Sequence, residues 1–191
     1  EKNPKRKINE QTLHNPSSAY GISKLASFYL VKNYRENYGM HASNGILFNH
    51  ESPIKDEKFV LRKISKSIAK IKFGLQNKIK LGNIKSKRDW GHAEDFANAM
   101  WMVCQHKKGD DYIIGTGKLH SVEDFARIAF NYVKLNYKKY IKFDKKFVRK
   151  KDSNARLADP SKIRKILKWK PKYDFKSLVL DMVKSDINRL K

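Results

Sequence analysis

Between Ala42 and Pro53 the chain passes from a strand-like run, apolar at its end in Ile46-Leu47-Phe48, directly into the polar cluster Asn49-His50-Glu51-Ser52-Pro53. A run that turns apolar in this way suits a strand buried in a parallel sheet. Polar side chains at the carboxyl end of such a strand stand where open α/β sheets bind ligands. Helical and extended periods alternate on both sides. One predicted helix is capped by Ser17 or Ser18 and runs to about Tyr38, where Gly39 stops it. Its apolar positions Ile22, Leu25, Phe28, Tyr29 and Val31 keep roughly a helical period. A second spans Phe59 to Phe73, with Ile64, Ile68 and Ile71 inward and Lys63, Lys66 and Lys70 outward. A third runs from about Ala93 to His106. Ser121 caps a fourth with Asp124 at its third position. Asp159-Pro160-Ser161 opens a short fifth, and the closing helix starts near Asp174. Short strands are expected at Ile79 to Leu81, Tyr112 to Ile114 and Ile141 to Phe143. Residues 1–16 read as irregular, and Arg88 to His92 as a turn. Strands alternating with helices make the class α/β.

The chain's 191 residues suffice for one good-sized domain or the larger part of a two-domain enzyme. No apolar run approaches the ~20 residues of a membrane span, so no membrane partner is expected. No signal peptide opens the chain, and a cytoplasmic location is expected. The single cysteine, Cys104, excludes an internal disulfide and fits a reducing compartment. It adjoins the apolar run Ala99-Met100-Trp101-Met102-Val103, so buried packing is expected of it rather than nucleophilic work. The net charge is +24, from 43 Lys and Arg against 19 Asp and Glu. That excess allows an anionic ligand or a nucleic acid, but it is spread over almost every segment instead of gathered into one patch. No metal site is expected. The chain starts at Glu1 without Met and holds no Gly-x-Gly-x-x-Gly or Gly-x-x-Gly-x-x-Gly turn for a dinucleotide pyrophosphate. It reads as a chain that begins in the middle.

Tyr20 and Lys24 stand four residues apart in Tyr20-Gly21-Ile22-Ser23-Lys24, which puts them on one helical face. A phenol is a poor base at neutral pH, and a fixed ammonium one turn away favours the phenolate that general acid/base chemistry needs. Both residues are common, and by spacing alone the ordinary reading of the pair is an exposed helix turn.

The wider context is more specific. Ser18-Ala19-Tyr20-Gly21-Ile22-Ser23-Lys24, Arg88-Asp89-Trp90-Gly91-His92 and Asp159-Pro160-Ser161-Lys162 resemble the extended short-chain dehydrogenase/reductase superfamily. Within it, the run from Asn44 to Pro53, Phe59-Val60-Leu61-Arg62-Lys63-Ile64 and Leu81-Gly82-Asn83 are similar to the GDP-mannose 4,6-dehydratase family. The resemblance extends from about Glu10 to the C-terminus and covers the later half or so of that enzyme. The other part would hold the glycine-rich turn and two catalytic residues, a Thr and a Glu. The implied fold is the C-terminal part of an NAD(P)-binding Rossmann-type parallel sheet with a smaller mixed α/β substrate-binding domain. Residues 1–57 would complete the NADP domain and 58–191 would mainly bind the GDP-sugar, with 88–115 returning to the first domain.

The resemblance implies conversion of GDP-mannose to GDP-4-dehydro-6-deoxy-D-mannose and water, a hydro-lyase reaction with NADP as recycled hydride carrier. It places Tyr20 and Lys24 at the catalytic and cofactor-ribose positions, with His50 and Lys55 as further cofactor contacts. Asn49 would meet the diphosphate region, Phe59, Val60 and Lys63 the guanine, and Gly82 and Asn83 the nucleotide. Arg88 and Arg149 would clamp the diphosphate, a task suited to the forked guanidinium. Asp152 would take the ribose hydroxyls. Three positions depart from the family. Lys55 replaces an Arg, Asp152 replaces a Glu, and Lys150-Lys151-Asp152-Ser153 follows Arg149 where the family usually has Arg-Pro-x-Glu. A homo-oligomer, dimer or tetramer, is implied for the whole enzyme, and the 191 residues alone are expected to be inactive and poorly stable.

Two rival readings stay open. One is a neighbouring enzyme, another nucleotide-sugar 4,6-dehydratase or the reductase acting on the 4-keto product; the reductase would not be expected to carry Glu51-Ser52-Pro53. The other is a non-enzymatic basic protein binding nucleic acid, for which no zinc-finger, helix-turn-helix or RNP signature is visible.

Overall fold

A computed structural model describes residues 7–148 and 155–191. The first half of the chain forms β1 (Lys7–Ile8), α1 (Ala19–Tyr38), β2 (Asn44–Leu47), β3 (Asn49–Glu51), α2 (Val60–Lys72), β4 (Ile79–Leu81), β5 (Lys87–Arg88) and β6 (Trp90–His92). There follow α3 (Ala93–Gln105), β7 (Asp111–Ile114), β8 (His120–Ser121), α4 (Val122–Tyr132), α5 (Tyr137–Tyr140) and β9 (Ile141–Phe143). A 3-10 turn at Lys145–Phe147 precedes β10 (Leu157–Ala158), α6 (Ser161–Leu167) and α7 (Phe175–Arg189).

The strands join in pairs whose members are distant in sequence. β2 runs parallel to β7 with Asn44 opposite Asp111, and β3 parallel to β6 with His50 opposite Gly91. β4 lies parallel to β9, β1 parallel to β10, and β5 antiparallel to β8. The second edge of β2 is paired with no described strand.

Two apolar clusters hold these elements. The larger gathers Leu61, Ile64 and Ile68 of α2, Phe125 and Phe130 of α4, and Leu178, Met182 and Val183 of α7. The inward stripe of α2 is the expected one, since Ile64, Ile68 and Ile71 recur at helical spacing on one side. Each such side chain, fully buried, contributes about 1.5–3 kcal/mol. The smaller cluster joins Phe96, Ala99 and Val103 of α3 to Tyr112 and Ile114 of β7, with Ile163 and Trp169. Helix ends follow local chemistry. Ser18 caps α1, Gly39 ends it in the left-handed region at φ 61°, and Ser121 with Asp124 forms a reciprocal capping box on α4.

Four expectations need correction. Cys104 is exposed. The buried stripe of α3 is Asp95, Phe96, Ala99 and Val103, and one residue beyond Val103 the helix has turned by about 100°. Helix α1 buries no residue, although its apolar positions are helically spaced. Tyr20, Ile22, Tyr29, Leu30, Tyr34 and Tyr38 all stay exposed. The helix is tied down by polar bonds instead: Asn44 Nδ2 donates to Phe28 O at 3.1 Å, and Arg35 donates to Ala42 O and Asp111. Arg88 to His92 is no turn but the end of β5 and the whole of β6, with Asp89 between them. Within the irregular first 16 residues, Lys7–Ile8 forms a strand because Leu157–Ala158 supplies its partner.

Candidate active site

Ser18 Oγ accepts the backbone N–H of Gly21 at 3.1 Å and so starts α1 immediately before Tyr20. A Cβ on Gly21 would press against Pro16 at 3.1 Å, so the glycine lets the preceding loop lie close to the helix start. Tyr20 and Lys24 project together, with the Lys24 ammonium 5.6 Å from the centre of the Tyr20 ring. The phenol is 72% exposed. A ligand lying along this end of α1 therefore meets a phenol and an ammonium side by side.

β3 supplies the second group of residues. Asn49 is exposed, His50 half-buried and Glu51 buried, so burial deepens along the strand. His50 Nδ1 lies 3.1 Å from Phe48 O. A carbonyl can only accept, so the proton sits on Nδ1 and Nε2 is left as the acceptor of the neutral ring. The imidazole also packs on Phe96, 5.1 Å between ring centres. Glu51 pairs with Lys55 at 2.9 Å, while its Oε2 is buried without a hydrogen-bond partner. Burial pushes the Glu51 carboxyl up against the opposing pull of Lys55. The Lys55 ammonium also donates to His50 O at 2.7 Å and lies 4.3 Å from the centre of the Phe59 ring.

The expected nucleotide contacts gather around the start of α2. Phe59 stands at its N-cap position, and Phe59 and Val60 are both exposed. Lys63, one turn on, donates to Lys80 O on β4 at 2.8 Å and lies 3.6 Å from the centre of the Phe147 ring. Partial burial lowers its ammonium pKa, opposed by Asp144. Gly82 follows β4, and a Cβ there would collide with the Phe147 carbonyl. Asn83 Oδ1 accepts from Lys85 N at 3.0 Å and shapes the turn beyond it. The structure thus brings Lys63 and Gly82 together at Phe147, an aromatic that sequence reasoning passed over, with Phe59 one turn before Lys63 and its carbonyl accepting the Lys63 N–H. Nothing about Phe147 in the sequence distinguishes it from the other aromatics lying among lysines. Arg88 ends β5 opposite His120 of β8, half-buried, and donates to Lys87 O at 2.6 Å. Arg149 and Asp152 lie outside the described residues.

Asp89 is the other residue that sequence reasoning undervalued. Fully buried, its carboxylate accepts from Thr116 N and Oγ1, Gly117 N and Ala158 N. It fixes the strand junction from which Arg88 emerges. Among the described residues no group of His, Cys, Asp and Glu is placed to hold a metal ion. No described helix is long and apolar enough to cross a membrane.

Comparison with known proteins puts this arrangement in context. Among solved structures, the chain superposes on RMD from Pseudomonas aeruginosa complexed with NADPH with a TM-score of 0.88 at 22% identity, covering 95% of this chain and 60% of that one. It superposes on dTDP-glucose 4,6-dehydratase from Bacillus anthracis in complex with NAD with a TM-score of 0.82 at 19% identity, covering 94% and 55%. At these identities the likeness shows a shared α/β fold. In sequence the chain is 46% identical to GDP-mannose 4,6 dehydratase 1 of Arabidopsis thaliana over 95% of its own length and 50% of that protein's. It is 38% identical to the Homo sapiens GDP-mannose 4,6 dehydratase, over 95% and 54%. The chain spans about half the length of the curated relatives it matches. The sequence profile of one family, GDP-mannose 4,6 dehydratase, matches residues 2–182. With nearly the whole chain inside that match, it belongs to the GDP-mannose 4,6-dehydratase family.

Proposed function

We propose that this chain is the part of a GDP-mannose 4,6-dehydratase that carries the acid/base tyrosine and the guanine-nucleotide site. The observation that carries the reading is the exposed Tyr20 with the Lys24 ammonium beside it on α1. In this reading residues 1–57 belong to an NADP domain, to which 88–115 return, and 58–191 mainly hold the substrate. The parallel pairing of β2 with β7 and of β3 with β6 supports the return, while Ile163 and Trp169 join the apolar cluster of α3 and β7 as well.

The donor set suits one end of NADP. Lys24 offers an ammonium to ribose hydroxyls, and His50 Nε2 an acceptor at a strand's carboxyl end. NADP would supply an acceptor for the C4 hydride, which goes to C6 after water has left while a proton returns to C5, so no net oxidation occurs. Tyr20 would take the proton of the sugar 4-hydroxyl as C4 becomes a ketone. That ketone acidifies the C5 proton, and loss of this proton with the C6 hydroxyl releases water. The base for that step, a Glu by family resemblance, is not assigned to any residue of this chain. Phe59, Val60, Lys63, Gly82 and Asn83 would hold guanine and its nucleoside, while Arg88, Asn49 and Arg149 would meet the diphosphate and Asp152 the ribose. The exposed apolar residues of α1 support a homo-oligomer, dimer or tetramer.

Calorimetric titration of GDP and UDP into the protein tests the reading. GDP is expected to bind tighter by about tenfold or more, because a guanine-shaped pocket leaves polar groups unpaired with uracil. Equal affinities would move the chain to another nucleotide-sugar enzyme.

A further inference from the structure

Lys55 stands where the family resemblance implies an arginine that touches the cofactor, but its ammonium is turned inward. One donor goes to His50 O at 2.7 Å and one to Glu51 Oε1 at 2.9 Å. The Phe59 ring lies 4.3 Å away, a cation–π contact available to the remaining donor. An ammonium has three donors, and all three have a use here. The carboxylate that holds it is 4% exposed at the side chain. A move of Lys55 towards an outside anion would leave that carboxylate buried and uncompensated, which is strongly unfavourable. The backbone of the same residue is held as well, since Arg62 Nε of α2 donates to Lys55 O at 3.1 Å. The intervening loop is tied elsewhere too, by Arg189, which donates to Pro53 O at 2.8 Å, and by its own turns from Lys55 N to Ser52 O and from Phe59 N to Asp56 O, while Ile54 is 85% exposed.

We propose that Lys55 is a positioning residue: it fixes the end of β3, which carries Asn49 and His50, against Phe59 at the start of α2. Its ammonium touches the His50 carbonyl and the Phe59 ring at once, so both are set by one side chain. What the two flanks bind, cofactor at His50 and guanine at Phe59, rests on the function proposed above. The coupling itself rests only on the contacts of Lys55.

The test compares the unaltered protein with Lys55→Met, with the charge-free pair Glu51→Gln/Lys55→Met, and with Lys55→Arg. The paired variant leaves no buried charge unpaired and guards against simple misfolding of the single one. Resonances of the His50 imidazole and the Phe59 ring are followed by NMR, and affinities for GDP and NADP by calorimetry. Loss of the ammonium is expected to shift both sets of resonances and to weaken both nucleotides by about tenfold. Lys55→Arg is expected to restore them, since a guanidinium can reach the same two oxygens. Unmoved Phe59 resonances, or a loss confined to NADP, would overturn the proposal and make Lys55 a direct cofactor contact or an idle one. If the unaltered protein binds neither nucleotide, the functional reading falls, and the resonances alone decide the positioning role.

Discussion

The Thr116 hydroxyl donates to Asp89 Oδ1 across 2.6 Å, tying the loop after β7 to the junction of β5 and β6. The same carboxylate takes the backbone N–H groups of Thr116 at 2.9 Å, Gly117 at 2.8 Å and Ala158 at 3.3 Å. Three segments distant in sequence therefore converge on one buried anion. Asp89→Ala strands these donors away from water, and leaving buried partners unsatisfied costs about 1–3 kcal/mol for each. We expect a loss on the order of 3 kcal/mol or more in denaturant unfolding, with Asp89→Asn recovering part of it. A midpoint unchanged in Asp89→Ala would show the loop to be held by other means.

Tyr20 calls for a different outcome, because its 72% exposure leaves it little structural work. Tyr20→Phe should leave thermal stability and GDP affinity nearly unchanged. Turnover of GDP-mannose by the protein as its gene encodes it should fall by about 10²–10⁴-fold, the range for losing a general acid/base. Near-normal turnover would remove Tyr20 from the mechanism.

Where the sequence was legible, the cause is local. Gly39 ends α1 because a glycine accepts φ 61°, and Ser121 with Asp124 closes its own capping box within four residues. The stripe of Ile64, Ile68 and Ile71 is set by helix period alone. Tyr20 and Lys24 meet for the same reason. What was not legible depends on partners remote in the chain. Lys7–Ile8 is a strand only because residues 157–158 lie beside it, and Asp89 is a hub only because residues 116–117 and 158 arrive there. Whether Cys104 is buried depends on which side of α3 meets β7, and no property of the cysteine reveals that. The inward turn of Lys55 was hidden for a related reason, since it depends on how deeply Glu51 is buried.

That burial has a pH signature. Desolvation raises the Glu51 carboxyl above its ordinary value of 4.5, against the pull of Lys55. For an acid whose pKa is higher in the folded state, the stabilising contribution is fully present below the unfolded value. It is lost as pH rises through the folded one. The stability of the unaltered protein, measured relative to Glu51→Gln, should therefore decline as pH is raised from about 4.5. Urea unfolding of both proteins across pH 4 to 8 (on the order of one pH unit per step, where each unit of pKa difference is worth about 1.4 kcal/mol) checks this. A difference that grows with pH would mean that Lys55 outweighs burial.

Arg62 of α2 and Asp186 of α7 form an ion pair inside the larger apolar cluster, their side chains 7% and 4% exposed. Ser65 donates to the same Asp186 oxygen at 2.8 Å, and Arg62 Nε reaches Lys55 O. The pair thus joins two packed helices to the loop behind His50. Removing one partner leaves the other charge buried, so Asp186→Ala should cost about 3–5 kcal/mol. Replacing both by apolar residues removes that penalty, and Arg62→Met/Asp186→Leu should recover most of the stability, as buried pairs rarely outdo good apolar packing. The recovered protein would still lack the Arg62 donor to Lys55 O. Amide exchange at residues 54–58 should therefore stay faster than in the unaltered protein even where the melting temperature is regained. If stability and loop protection return together, the pair is a packing feature with no hold on the loop. If the double variant is as unstable as Asp186→Ala, the ion pair itself carries the helix contact.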